Sequence, residues 1–87
     1  MNEIYAIYTD EGGYPLEPEI ARERGLVKGE KYIVNHADVG RSFTNVFLEG
    51  FKGSFNSTMF DFIDEDGNEV DIVEEYYYTY EEQYGEK

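Results

Sequence analysis

The chain has 87 residues, 20 acidic against 7 basic for a formal charge of −13, with 40% hydrophobic and 17% aromatic content, nine Tyr, six Phe, no Trp and no Cys. That length accommodates one domain, the aromatic load excludes a disordered acidic chain, and the lack of Cys excludes a disulfide framework or thiolate metal site. No apolar run approaches the roughly 18 residues of a membrane span, and Met1-Asn2-Glu3 lacks the basic start of a signal peptide, so a soluble cytoplasmic protein is expected.

Glu3 to Thr9 alternates Ile4, Ala6, Tyr8 with Tyr5, Ile7, Thr9 and predicts a two-sided strand, ended by the turn Asp10-Glu11-Gly12-Gly13. Tyr14 to Pro18 is extended, since each residue before Pro is pushed out of the α region. Pro18 suits the first position of a short helix through Arg24, stopped by Gly25, with Ile20 as its large apolar residue for packing. Lys31 to Asp38 is β-rich and predicts a strand. Phe43 to Glu49 predicts the next, with Thr44, Val46 and Leu48 on one face. Gly50-Phe51-Lys52-Gly53 makes a tight return, and Asn56-Ser57 opens a 3₁₀ turn within an irregular stretch. Met59 to Asp64 is a strand, Asp66-Gly67 is the strongest hairpin signal in the chain, and Val70 to Val73 answers as a partner strand.

In the tail, Tyr76, Tyr80 and Tyr84 stand four apart, as do Tyr77 and Glu81, which favours a short amphipathic helix ended by Gly85. The alternation of Tyr76, Tyr78 and Tyr80 leaves a strand open, and a flexible acidic terminus is the third option. The division expected is a small β-barrel over residues 1–73 and an acidic Tyr/Glu-rich segment over 74–87. The fold class is mainly β with minor α, built from five to six short antiparallel strands.

Charge is distributed unevenly along this frame. Residues 1–52 hold nine acids and six bases, whereas residues 53–87 hold eleven acids and one base, a net of −10. Such a chain repels nucleic acid and anionic membrane and attracts basic partners. Net charge also serves plain solubility, which is the competing reading.

Gly25-Leu26-Val27-Lys28-Gly29-Glu30-Lys31-Tyr32-Ile33-Val34, together with Phe55-Asn56-Ser57-Thr58-Met59-Phe60-Asp61-Phe62, resembles small SH3-like barrel proteins encoded by phages and prophages of Gram-positive bacteria. In that pattern a Leu-x-x-Gly-x-x-Tyr-x-Val segment turns into one strand, and a Phe-rich segment after a 3₁₀ turn closes the barrel. The resemblance covers residues 4–73 and implies a fold and a phage origin, with no catalytic motif to transfer. Proline-helix recognition by peptide-binding SH3 domains uses a Trp, which this chain lacks.

Signals for chemistry are weak. Aligning Gly67 with the required glycine of a calcium loop puts Phe62 and Val73 where that loop needs Asp and Glu, so the hairpin is the better reading. His36 is the single His, which precludes a histidine cluster, and Ser42, Ser54 and Ser57 show no nucleophile elbow. The glycines flanking Lys52 match neither phosphate-binding fingerprint. The chain is therefore expected not to be an enzyme, and no cofactor or metal is expected.

Three functions compete. The first is charge mimicry, in which carboxylates on a small rigid frame stand where phosphates would, in the groove of a basic nucleic-acid-binding host protein such as a nuclease. The composition is similar to that of DNA-mimicking anti-CRISPR inhibitors. The contact would run through Asp61, Asp64, Glu65, Asp66, Glu69 and Asp71, continuing through Glu74, Glu75, Tyr76, Tyr78, Glu81 and Glu82. The second is a protein-interaction or assembly module, with homo-oligomers included, joined through Tyr14, Phe43, Phe47 and Phe51. The third is a nucleotide sponge using Arg41, Lys52 and the loop glycines.

Overall fold

In a computed structural model, which describes residues 3–13 and 15–85, the first alternation becomes strand β1, Tyr5–Tyr8, with Ala6 and Tyr8 fully buried. Helix α1 is Glu17–Glu23, with Pro18 in its first turn and Gly25 following at φ 109°. It packs through Ala21, which is 1% exposed. Ile20, expected to face the body, is half exposed instead. The small Ala side lets the helix sit close, and Ala21 O accepts from Leu26 N to fix the exit.

Strand β2 runs Lys31–Val39 and β3 runs Thr44–Leu48, whose Thr44, Val46 and Leu48 are all buried as the alternation requires. Two residues of the stretch read as irregular, Phe55–Asn56, pair with β3 as strand β4. The 3₁₀ turn Ser57–Met59 follows, with Asn56 Oδ1 accepting the Thr58 N–H at 3.0 Å, and leads into β5, Phe60–Ile63.

The five strands form one antiparallel sheet in the order β4-β3-β2-β1-β5. β2 pairs with β1 through residues 31–33 and with β3 through 34–39, and a register shift at Val34/His36 bends it between the two partners. No ladder joins β4 to β5, so the sheet is open where a closed barrel was expected. β4 is only two residues long, and the 3₁₀ turn spends the next three in crossing from one sheet edge to the other. A chain of rings fills the interior: Tyr8 to Phe60 at 5.7 Å, Phe60 to Phe55 at 6.1 Å and Phe55 to Phe51 at 5.7 Å.

The Asp66-Gly67 turn forms, with Gly67 at φ 87° and its N–H donating to Asp64 O at 3.0 Å. The answering strand does not. Only Glu69 bridges back, to Ile63, with Val70 N donating to Phe62 O. Residues Ile72–Glu75 are instead a short helix, α2. The β-branched Val70, Ile72 and Val73 suggest a strand, but the Asp71 carboxylate accepts from Val73 N at 3.0 Å and Glu74 N at 3.2 Å and nucleates a helical turn. The tail continues as helix α3, Tyr77–Tyr84, capped by Gly85, as the four-residue tyrosine spacing favours. No helix among the described residues is long and apolar enough to cross a membrane.

Candidate acidic interface

The twelve residues expected to carry the contact fall on four consecutive stretches of the chain. Asp61 projects outward from β5 between buried Phe60 and Phe62. The hairpin turn then presents Glu65, Asp66 and Glu69, all exposed. Glu74 and Glu75 are exposed on α2, and Glu81 and Glu82 are exposed on α3. Glu69, Asp71, Glu74 and Glu75 surround one shallow depression of about 240 Å³ with Val70 in its wall.

Two of the acids hold the frame as well. Asp64 Oδ1 accepts the backbone N–H groups of Asp66 and Asn68, each at 2.9 Å, which pins the turn. The backbone donor of Asn68, ahead of the Asp66 donor, holds the Asp64 carboxyl below the usual carboxylate range. Asp71 caps α2 as described. Tyr76 is half buried, with its ring edge-on to His36 at 5.6 Å, and burial raises its phenol pKa. Tyr78 is 50% exposed and lies 5.9 Å from Tyr76.

Among the described residues Arg22 forms an ion pair with Asp10, and His36 Nε2 lies 2.9 Å from Asp38 Oδ1. Neither reaches the acids between Asp61 and Glu82, so this surface has no internal neutralisation among the described residues. Nor do three or more His, Asp or Glu side chains converge there in a geometry for a metal ion. The arrangement presents negative charge to solvent, where it can meet an external cation.

Among the described residues, those of the two competing functions are not gathered at one place. Tyr14 lies outside the described residues. Phe43 is exposed at the start of β3, Phe47 rests on His36 at 5.9 Å, and Phe51 packs edge-on to Tyr32 at 5.6 Å beyond the far end of the strand. Arg41 and Lys52 likewise flank β3 at opposite ends, separated by a strand of about 16 Å. Arg41 instead lies over the Tyr84 ring, its guanidinium carbon 4.6 Å from the centroid, beside a cleft of about 360 Å³ lined also by Asp38, Phe43 and Gln83. No local pattern announces that contact, since its partners are 43 positions apart in the chain.

A second feature absent from the sequence reading is Thr79. It is 3% exposed, and it is the buried residue of α3. Its Oγ1 accepts the Val39 N–H at the end of β2, so a buried hydroxyl anchors the acidic helix to the sheet, beside the Tyr76 ring that packs on the core just before α3.

Fold and surface together define a small acidic protein, mainly β, with one open antiparallel sheet. The chain belongs to a bacteriophage protein family, since the family model described as Bacteriophage T4 protein Y07B matches residues 3–84. No curated protein and no solved structure matches the chain.

Proposed function

We propose that this phage protein is an inhibitor that binds a basic, nucleic-acid-binding host protein by charge mimicry, in the manner of anti-CRISPR proteins. The observation that carries the reading is the run of ten carboxylates from Asp61 to Glu82 with no cationic partner among the described residues. Leaving so many like charges together on a small body costs self-repulsion. A basic groove relieves that cost and gains charge-assisted hydrogen bonds. The frame supports display, because Asp64 fixes the turn and Asp71 fixes the start of α2. The protein acts by occupancy, without catalysis, cofactor or metal, and in the cytoplasm of a bacterial host. It makes no direct contact with nucleic acid or membrane.

The scaffold is read as an SH3-like barrel left open between β4 and β5. The strand order β4-β3-β2-β1-β5 and the 3₁₀ turn between the last two strands support that reading.

The test is affinity capture from bacterial host lysate with the tagged chain at low ionic strength. Charge mimicry predicts enrichment of nucleic-acid-binding proteins that are released by salt and by added double-stranded DNA. A capture dominated by partners that persist in high salt and ignore DNA contradicts it.

A further inference from the structure

Three tyrosines of α3 form a ladder on its exposed side. The rings of Tyr77 and Tyr80 stack at 5.2 Å with 21° between planes, and Tyr80 and Tyr84 lie 4.9 Å apart. Arg41 closes the Tyr84 end of the ladder from above. The other end is open, with Tyr77 45% exposed and Tyr78 50% exposed. Thr79 is the residue that faces the sheet, and at 100° per residue Tyr77 and Glu81 each stand about 160° from it, side by side on the outer face. Their spacing of four makes them neighbours on the helix surface, and Glu81 is exposed with no cation among the described residues.

A ring face next to a free carboxylate suits one kind of side chain. A guanidinium is planar and weakly hydrated, so it stacks on an aromatic face and still donates in its own plane to a carboxylate. An ammonium satisfies the charge but not the stacking geometry. Cations already rest on rings within this chain, with Arg24 at 3.8 Å over Phe55 and Lys31 at 4.7 Å over Tyr5, besides Arg41 over Tyr84. Arg41 over Tyr84 is the nearest parallel, since Glu81 stands one helical turn from Tyr84 (i, i+3) as it does from Tyr77 (i, i+4).

We propose that Tyr77 and Glu81 form an arginine-binding face on α3, on which an arginine of the partner stacks its guanidinium against the Tyr77 ring and donates to the Glu81 carboxylate. The partner's basic character rests on the charge-mimicry reading; its preference for arginine over lysine is the new element.

The experiment measures binding of octa-arginine and octa-lysine peptides, equal in charge, by fluorescence anisotropy at low salt. The wild-type chain should bind the arginine peptide about tenfold more tightly. Tyr77→Leu and Glu81→Gln should each shrink that ratio several-fold, whereas Tyr77→Phe, which keeps the ring, should retain it. Circular dichroism checks that each variant is folded, and Glu81→Gln decides alone if Tyr77→Leu does not fold. Equal affinity for the two peptides overturns the arginine face and leaves the acidic surface standing, as does a preference that survives both substitutions. Binding of neither peptide overturns both proposals.

Discussion

Thr79 and Val39 are joined by a hydrogen bond of 2.9 Å from the Val39 N–H to the Thr79 hydroxyl, which in turn donates to Tyr76 O at 2.8 Å. The bond ties the acidic helix to the end of β2, and both residues are 3% exposed. Thr79→Val keeps the shape and removes the acceptor, so Val39 N–H is left buried without a partner. Thermal unfolding should show a loss of about 1–3 kcal/mol. An unchanged melting temperature would show that the contact does not hold α3.

Glycines separate backbone strain from crowding. A Cβ at Gly67 meets nothing within 4 Å, but φ is +87°, so Gly67→Val should cost about 1 kcal/mol or more through the backbone alone. At Gly12, φ is +82° and a Cβ would stand 2.3 Å from Thr58 O. Gly12→Ala should therefore destabilise more than Gly67→Val despite adding a smaller side chain. Chemical denaturation of the two variants checks the order.

Stability should fall at both ends of the pH range. Arg22, followed by the Tyr8 hydroxyl, lowers the pKa of Asp10, and backbone donors lower that of Asp64. The folded state therefore binds these protons more weakly than the unfolded chain. The stabilisation is present above the unfolded value of about 4 and is lost as pH falls through the depressed folded values. Asp64→Asn keeps the turn's acceptor and should flatten part of the decline in melting temperature between about pH 5 and 2.

At the alkaline end, burial and the bond to Asp10 push the Tyr8 phenol up to about 12. A raised value stabilises the fold below the unfolded value of about 10, and that contribution is lost as pH rises towards 12. Tyr5 and Tyr76, also raised, act in the same direction. Tyr8→Phe should be less stable at pH 7, because the bond to Pro18 O at 3.0 Å is lost with it, yet less sensitive to alkali. A wild-type melting temperature that is flat across this alkaline window would contradict the assignment.

Much of the sheet was legible in the sequence because period-two alternation and turn glycines act locally. Residues 5–8, 31–39, 44–48 and 60–63 are strands for that reason. Phe55–Asn56 was not legible, since two residues carry no period and their strand character comes from pairing with β3. Val70 to Val73 was misread because β-branched content outweighed Asp71, whose capping bonds decide the local structure. The open seam between β4 and β5 depends on tertiary geometry that no local pattern encodes. For the acidic surface, the sequence located the charge but not the division of labour within it. Asp64 and Asp71 spend their oxygens on backbone N–H groups, whereas Glu74, Glu75, Glu81 and Glu82 are exposed and make no side-chain hydrogen bond or ion pair to any described residue.

That division selects the variant for the most direct test of charge mimicry. Glu74, Glu75, Glu81 and Glu82 are replaced together by Gln, and affinity for the salt-released partner captured from lysate is measured at low ionic strength. Each exposed to partly buried pair contributes roughly 0.5–2 kcal/mol, so binding should weaken at least about tenfold, and the deficit should shrink as salt is added. Folding should change little, because exposed Glu-to-Gln substitutions move stability by under about 0.5 kcal/mol each. Undiminished binding by the folded quadruple variant would place the contact elsewhere and leave the acidic helices a solubility device.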